Sequence, residues 1–138
     1  FGSEPTAVHA SVRRDPRFGT DAMTSAVLDF DGRHATFVCS TQLEPSQRVE
    51  VLGTEGRIVL EIPFNIPPDR PSRLLCIAGG SPPADPHIEV IEIPAADPYG
   101  EQAVAFTRAV RLGAPLPIPP LDSIGNIAVI ESIFAAWA

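Results

Sequence analysis

Lysine is missing from this 138-residue sequence: all ten basic residues are arginines. That absence excludes a Walker-type phosphate lysine, a Schiff-base lysine and a lysine general acid. Acidic residues number 17, the net charge is -7, and no basic stripe exists, so a nucleic-acid partner is not expected. Nor does any apolar run approach the ~18 residues of a membrane-spanning helix. The opening decapeptide FGSEPTAVHA has neither the basic nor the apolar region of a secretory signal. Cysteine is scarce as well. Cys39 and Cys76 lie inside the apolar runs Phe37-Val38-Cys39 and Leu74-Leu75-Cys76-Ile77, and the expectation is two buried, reduced thiols in a cytoplasmic, reducing compartment. Opening on Phe-Gly without a methionine, the chain reads as a piece of a longer protein.

Patterns that carry chemistry are equally sparse. His9, His34 and His87 show no His-x-His or His-x-x-x-His spacing, and neither cysteine nor carboxylate joins them in a metal-ligand pattern. They are expected to be strand residues, although His34, just after a turn, is placed where it could face a ligand. No Gly-x-Ser-x-Gly elbow is present, and AGGSPP runs on into prolines rather than into a helix. Asp21, Asp29 and Asp31 are close enough in sequence to form a carboxylate pair, but turn and edge roles account for them. No catalytic, cofactor-binding or metal-ligating residue is therefore assigned.

What the chain has in quantity is strand pattern. Pro5 to Arg13 alternates, and a polar loop through Asp15, Pro16 and Gly19 follows. Ala22 to Phe30 and Arg33 to Ser40 are β-rich runs separated by Asp31-Gly32, the pair that suits a type I′ hairpin because both residues tolerate positive φ. Gln47 to Leu52 and Arg57 to Ile62 form a second pair, with Val49 and Val51 alternating against Arg48 and Glu50. Pro63 to Pro71 holds four of the sixteen prolines and cannot donate to a central ladder, so an extended loop is expected. Arg73 to Ala78 and His87 to Ile93 are later strands flanking GGSPPADP, a stretch of turn chemistry.

The link in the second pair, Gly53-Thr54-Glu55-Gly56, raises the question of a phosphate cradle. A dinucleotide fingerprint requires a strand, a glycine-rich turn and then a helix whose N-terminus meets the pyrophosphate. Here the next residues are Arg57-Ile58-Val59-Leu60, which are β-branched and lack a helical stripe. A tight hairpin with Gly56 at an unusual φ is the better reading.

The last third changes period. Asp97-Pro98 supplies an N-cap and a proline at the first helical position. Ala103, Phe106, Thr107 and Val110 recur at helical spacing, and Gly113 closes the helix. Asp122 is expected to cap a second helix with Ile124, Ile127, Ala128, Phe134 and Trp137 as its apolar positions. With Glu131 as the only charge in IAVIESIFAAWA, that helix needs cover on more than one side. Strands first and helices last is the α+β order. The expected fold is a mostly antiparallel (mixed) open sheet of about six strands with the C-terminal helices packed on one face. The other sheet face, left open, is expected to find a partner.

Five segments, in order, resemble the C-terminal domain of the Gfo/Idh/MocA oxidoreductases (glucose-fructose oxidoreductase, inositol dehydrogenase, MocA). FGSEPTAVHA is similar to the segment after the family's catalytic helix. DAMTSAVLDFDGRHATFVCS resembles its central hairpin, and QRVEVLGTEGRIVLEIPF resembles its next hairpin with a Gly-x-x-Gly turn. DPYGEQAVAFTRAVRLGAPLP and PPLDSIGNIAVIESIFAAWA look like its last two helices. The resemblance covers the whole chain, so residues 1–138 are expected to form a single substrate-side and oligomerisation domain, with the nucleotide-binding Rossmann domain absent. It implies a parent enzyme that uses NAD or NADP on a sugar, polyol or related small molecule. It also implies a homo-oligomer formed through the open sheet face, and a chain inactive alone because the family's nucleotide motif and catalytic Asp and His fall outside it. The alternative is a standalone binding or oligomerisation module of the same fold.

Overall fold

The computed structural model describes residues 1–80, 82 and 84–136. Trp137 and part of the GGSPPADP turn thus lie outside the described residues. The α+β class holds. Seven strands precede two helices: β1 (Ala7–Arg14), β2 (Asp21–Asp29), β3 (His34–Ser40), β4 (Val49–Gly53), β5 (Gly56–Leu60), β6 (Ser72–Ala78), β7 (Ile88–Ile93), α1 (Pro98–Leu112) and α2 (Pro120–Ala135). The strands form two antiparallel sheets, ordered β1-β2-β3 and β4-β5-β6-β7. The chain divides accordingly into two compact units. One comprises Phe1–Glu44 and Pro117–Ala138, the other Pro45–Leu116.

In the first unit, the Asp31-Gly32 turn takes the form its residues dictate, with φ of 58° and 83°. Asp29 reinforces it by accepting the Gly32 N–H at 3.1 Å. Antiparallel register then places Val8, Ala10 and Val12 on the same face as Leu28, Ala26 and Thr24. Helix α2 packs along β1 on this face, where Val12, Ala26 and Ile133 are buried and Val8, Ala10 and Val129 close around them. Ala26 is small, which makes room for Ile133.

The face of α2 turned inward differs from the sequence expectation. Ile124 and Ile127 are exposed, and burial instead follows Gly125, Val129 and Ile133 at spacings of four. A helix apolar all round offers no contrast by which periodicity can pick a side. Its start also moves. Pro119 is the N-cap and Pro120 opens the helix, so Asp122 lies in the first turn instead of capping. A proline at N1 gives up no hydrogen bond, and its fixed φ is already helical.

Because α2 covers the β1 side, β3 is left open. Phe37, on the helix-facing side, is part exposed, and Cys39 is exposed rather than buried. Both Cys39 and Cys76 are free thiols, and Cys76 is half-buried. Cys39 pairs across the ladder with Thr24, whose hydroxyl is buried without a hydrogen-bond partner. An orphaned buried hydroxyl carries a desolvation penalty that nothing offsets. Thr24→Val is accordingly expected to raise the stability of the chain by about 1 kcal/mol. A urea midpoint lower than that of the parent sequence would refute this.

In the second unit, α1 is bounded as its sequence requires. Asp97 accepts the Tyr99 N–H at 3.0 Å, and Gly113 ends the helix at φ 63°. The Ala103, Phe106, Thr107, Val110 stripe, however, is exposed, and the inward positions are Ala105 and Ala109. The side of α1 withdrawn from solvent thus carries two alanines four residues apart and no large side chain. The four-stranded sheet has two unlike faces. One carries Val49, Val51, Ile58, Leu60, Leu74, Cys76 and Ile91 in register. The other sets the pairs Arg57–Glu50 (3.5 Å) and Arg73–Glu61 (2.7 Å) among Leu52, Leu75, Ile77, Ile88 and Val90, and it carries Val59, which at 1% exposure is the most deeply buried side chain described. Strand β7 lies at the edge, and all six of its residues are exposed.

Candidate functional site

The Gly53–Gly56 link is a hairpin turn: Gly53 and Gly56 pair across the β4–β5 ladder, and the chain continues as strand. Its glycines serve backbone packing. Gly56 has φ 154°, and a Cβ there would lie 2.5 Å from the Ile77 carbonyl oxygen. Gly79 donates its N–H to Glu55 O at 2.8 Å, and a Cβ on Gly79 would meet the Glu55 backbone at 2.8 Å. The turn is thus bolted to the end of β6. Beside it lies an open hollow of about 540 Å³ on the apolar sheet face, floored by Val51, Ile58 and Cys76 with His87 and Glu89 at its rim.

The histidines stay apart within each unit. His34 lies 3.8 Å from Asp29 Oδ1 at the hairpin, His9 stands exposed on β1, and His87 borders the apolar hollow. Asp29 and Asp31 are engaged in the turn, and Asp21 opens β2. Among the described residues no group of three metal-capable side chains comes together, and no helix is long and apolar enough to cross a membrane.

The β1–β2 loop is organised around Asp15. Its Oδ1 accepts the N–H groups of Arg17 (2.8 Å) and Phe18 (3.1 Å), and its Oδ2 accepts from Gln42 Nε2 at 2.6 Å. Gln42 Oε1 in turn accepts from Arg13 at 3.1 Å. The Arg17 N–H, followed by those of Phe18 and Gln42 and the charge of Arg13, holds the Asp15 carboxyl below its usual range. A carboxyl depressed in the folded state contributes stability that is present above the ordinary aspartate range and is lost as pH falls through the folded value. The Arg17 and Phe18 amide resonances should therefore move at a pH below the ordinary aspartate range. Asp15→Asn, which keeps an acceptor oxygen but cannot titrate, should abolish that movement. Its persistence in the variant would exclude Asp15 as the cause.

The candidate site lies at the first turn of α1. Gln47 Oε1 accepts the backbone N–H groups of both Phe64 (3.0 Å) and Asn65 (3.1 Å), pinning the proline-rich segment where no ladder could hold it. Between that segment and α1 opens a hollow of about 510 Å³ bordered by Phe64, Asn65, Tyr99 and Gln102. No role was expected of these residues from the sequence. The signal available was the spacing of an aromatic next to an amide in Phe64-Asn65 and a second aromatic and amide one helical turn apart in Tyr99 and Gln102.

Residues 1–59 match the model of the GFO/IDH/MocA C-terminal domain. An uncharacterized oxidoreductase of Rhizobium meliloti, ORF334, is 43% identical over 134 residues, which cover 96% of this chain and 40% of that protein. The matched residues are those of a GFO/IDH/MocA C-terminal domain. The chain spans about 40% of the length of that relative. Solved structures show the same fold at low identity. KijD10, a 3-ketoreductase from Actinomadura kijaniata in complex with TDP-benzene and NADP, superposes with a TM-score of 0.79 at 18% identity, over 94% of this chain and 39% of that one. The protein yvaA from Bacillus subtilis, described as an oxidoreductase, superposes with a TM-score of 0.69 at 18% identity, over 96% and 43%.

Proposed function

We propose that residues 1–138 act as a single substrate-side and subunit-contact domain of a cytoplasmic, NAD(P)-dependent oxidoreductase. The substrate is a sugar, polyol or related small molecule, and the dinucleotide-binding domain is supplied by another part of the parent. The observation that carries this reading is the match to ORF334, which takes in nearly all of this chain but 40% of that oxidoreductase. The NADP bound to KijD10 supports the cofactor class. The chain's own residues contribute a cleft wall, at the hollow beside Tyr99 and Gln102, and a contact face. Hydride transfer itself belongs to a bound nicotinamide cofactor.

The contact face we favour is the apolar side of the four-stranded sheet, where Val51, Ile58, Ile91 and Ile93 are exposed with no charge between them except Glu89. Apolar surface of this kind marks an interface. The parent reading frame should encode a Rossmann segment of ~120 residues, a typical domain length. A reading frame without one would overturn the proposal in favour of a standalone module. Sedimentation at micromolar concentration should show a dimer or larger assembly, and Ile58→Glu should return it to a monomer.

A further inference from the structure

We infer that the outer edge of β7 receives an extended segment of a partner protein as a fifth, antiparallel strand of the β4-β5-β6-β7 sheet, and that this segment carries basic side chains opposite Glu89 and Glu92 with aliphatic ones between them. The phase of the ladder fixes which backbone groups are on offer. In an antiparallel pair, hydrogen-bonded and non-hydrogen-bonded positions alternate. The Ala78 N–H donates to His87 O at 3.3 Å, so the register puts Cys76–Glu89, Leu74–Ile91 and Ser72–Ile93 in the bonded phase. The far side of β6 agrees. There the Gly79 N–H donates to Glu55 O, which sets Ile77 and Leu75 in the bonded phase with β5 and leaves Cys76 and Leu74 to β7. Ile88, Val90 and Glu92 therefore aim their N–H and C=O groups away from the sheet, where no backbone partner among the described residues meets them.

The side chains decide the partner. Glu89 shares a face with Ile91 and Ile93, and Glu92 shares the other with Ile88 and Val90. Neither carboxylate enters an ion pair among the described residues. Arg73, opposite Glu92, turns instead to Glu61 at 2.7 Å, and Glu89 stands opposite Cys76. A second copy of β7 is a poor occupant, because the strand has no basic residue. Pairing it with itself would gather the carboxylates of both copies within a Debye length and without counter-charge. A basic segment supplies what is missing: opposite charges and aliphatic side chains facing each other across a ladder both favour pairing. Main-chain bonds give such an added strand its affinity, and the side chains give it specificity. Since the two carboxylates are three positions apart, the complement reads basic, aliphatic, aliphatic, basic.

The probe is the peptide acetyl-Thr-Lys-Val-Val-Lys-Thr-amide, added to the 138-residue chain and followed by amide hydrogen exchange in NMR. The Ile88, Val90 and Glu92 amides should exchange about tenfold more slowly near saturation, whereas those of Glu89, Ile91 and Ile93, already bonded to β6, should change little. A dissociation constant on the order of 0.1–1 mM is expected for a short segment ordered only on binding, and about 0.5 M salt should weaken it several-fold. The same peptide with glutamates in place of its lysines should not bind. Val90→Pro removes an outward N–H at the kind of edge position that tolerates proline, and it should weaken binding about tenfold. Glu89→Lys combined with Glu92→Lys should exchange the preference, so that the glutamate peptide binds and the lysine peptide does not. Protection spread evenly over all six amides, equal binding of the two peptides, or a preference that survives the double reversal would overturn the inference. So would protection of Ile88, Val90 and Glu92 that rises with protein concentration in the absence of peptide, because the edge would then serve a second copy. The edge is separate from the sheet face proposed above for subunit contact, and failure of either leaves the other standing.

Discussion

Ile133→Ala should cost about 2–4 kcal/mol of unfolding free energy, the range for truncating a buried isoleucine. Ile133 is the single side chain of α2 that is fully buried, and it closes the cluster formed by Val12 and Ala26. Its partners are strand residues fixed by the β1–β2 ladder and cannot collapse far into the space left behind. Alanine is the better helix former, so the loss cannot come from propensity, which works in the opposite direction by a few tenths of a kcal/mol. Ile124→Ala supplies the control. On the same helix but exposed, it should change stability by less than about 0.5 kcal/mol. Equal effects of the two substitutions in urea denaturation would mean that α2 is not seated on β1 through Ile133.

Gly56→Ala should destabilise the four-stranded sheet by roughly 2–3 kcal/mol, combining a φ that side chains rarely adopt with a collision. The new Cβ would sit 2.5 Å from Ile77 O and 3.2 Å from Gly79 N. Both are backbone atoms, which cannot swing aside as a side chain would. The ladder between β5 and β6 must therefore shift, and the Gly79 N–H should lose its protection from hydrogen exchange along with its bond to Glu55 O. Gly53→Ala, whose Cβ would meet only Gly56 O at an ordinary 3.5 Å, should be tolerated within about 1 kcal/mol. If Gly53→Ala proved the more damaging, the packing argument for Gly56 would fall.

These two positions also mark what can be read from a sequence and what cannot. Strand and turn are local: Asp31-Gly32 announces its hairpin, Arg57-Ile58-Val59-Leu60 rules out a helix after the glycine turn, and Asp97 and Gly113 bound α1 where expected. The side of a helix that faces inward is settled by contrast along it. In α2 there is almost none, so Gly125, Val129 and Ile133 could not be singled out in advance. The tight approach of Glu4 is a further reason. A Cβ at Gly125 would lie 2.5 Å from Glu4 Oε1, a contact between residues more than a hundred positions apart. Likewise, each hairpin register follows from its turn, and every pairing joins consecutive strands, but nothing local marks the break between β3 and β4 that divides the seven strands into two sheets. The hollow at α1 has the same character. Gln47 reaches Phe64 and Asn65 across 17 and 18 positions, and no periodicity links those segments to Tyr99.

Strand β7 reads Ile-Glu-Val-Ile-Glu-Ile, lies at the end of its sheet and is exposed along its whole length. An edge with unpaired backbone groups and four large aliphatic side chains is a template on which a foreign strand can grow. Glu89 and Glu92 are the two charges that interrupt it, one on each face. They act as gatekeepers of the kind that keep such segments from aggregating. The barrier to strand addition at this edge is thereby concentrated in two carboxylates, neither of which contributes to the buried core.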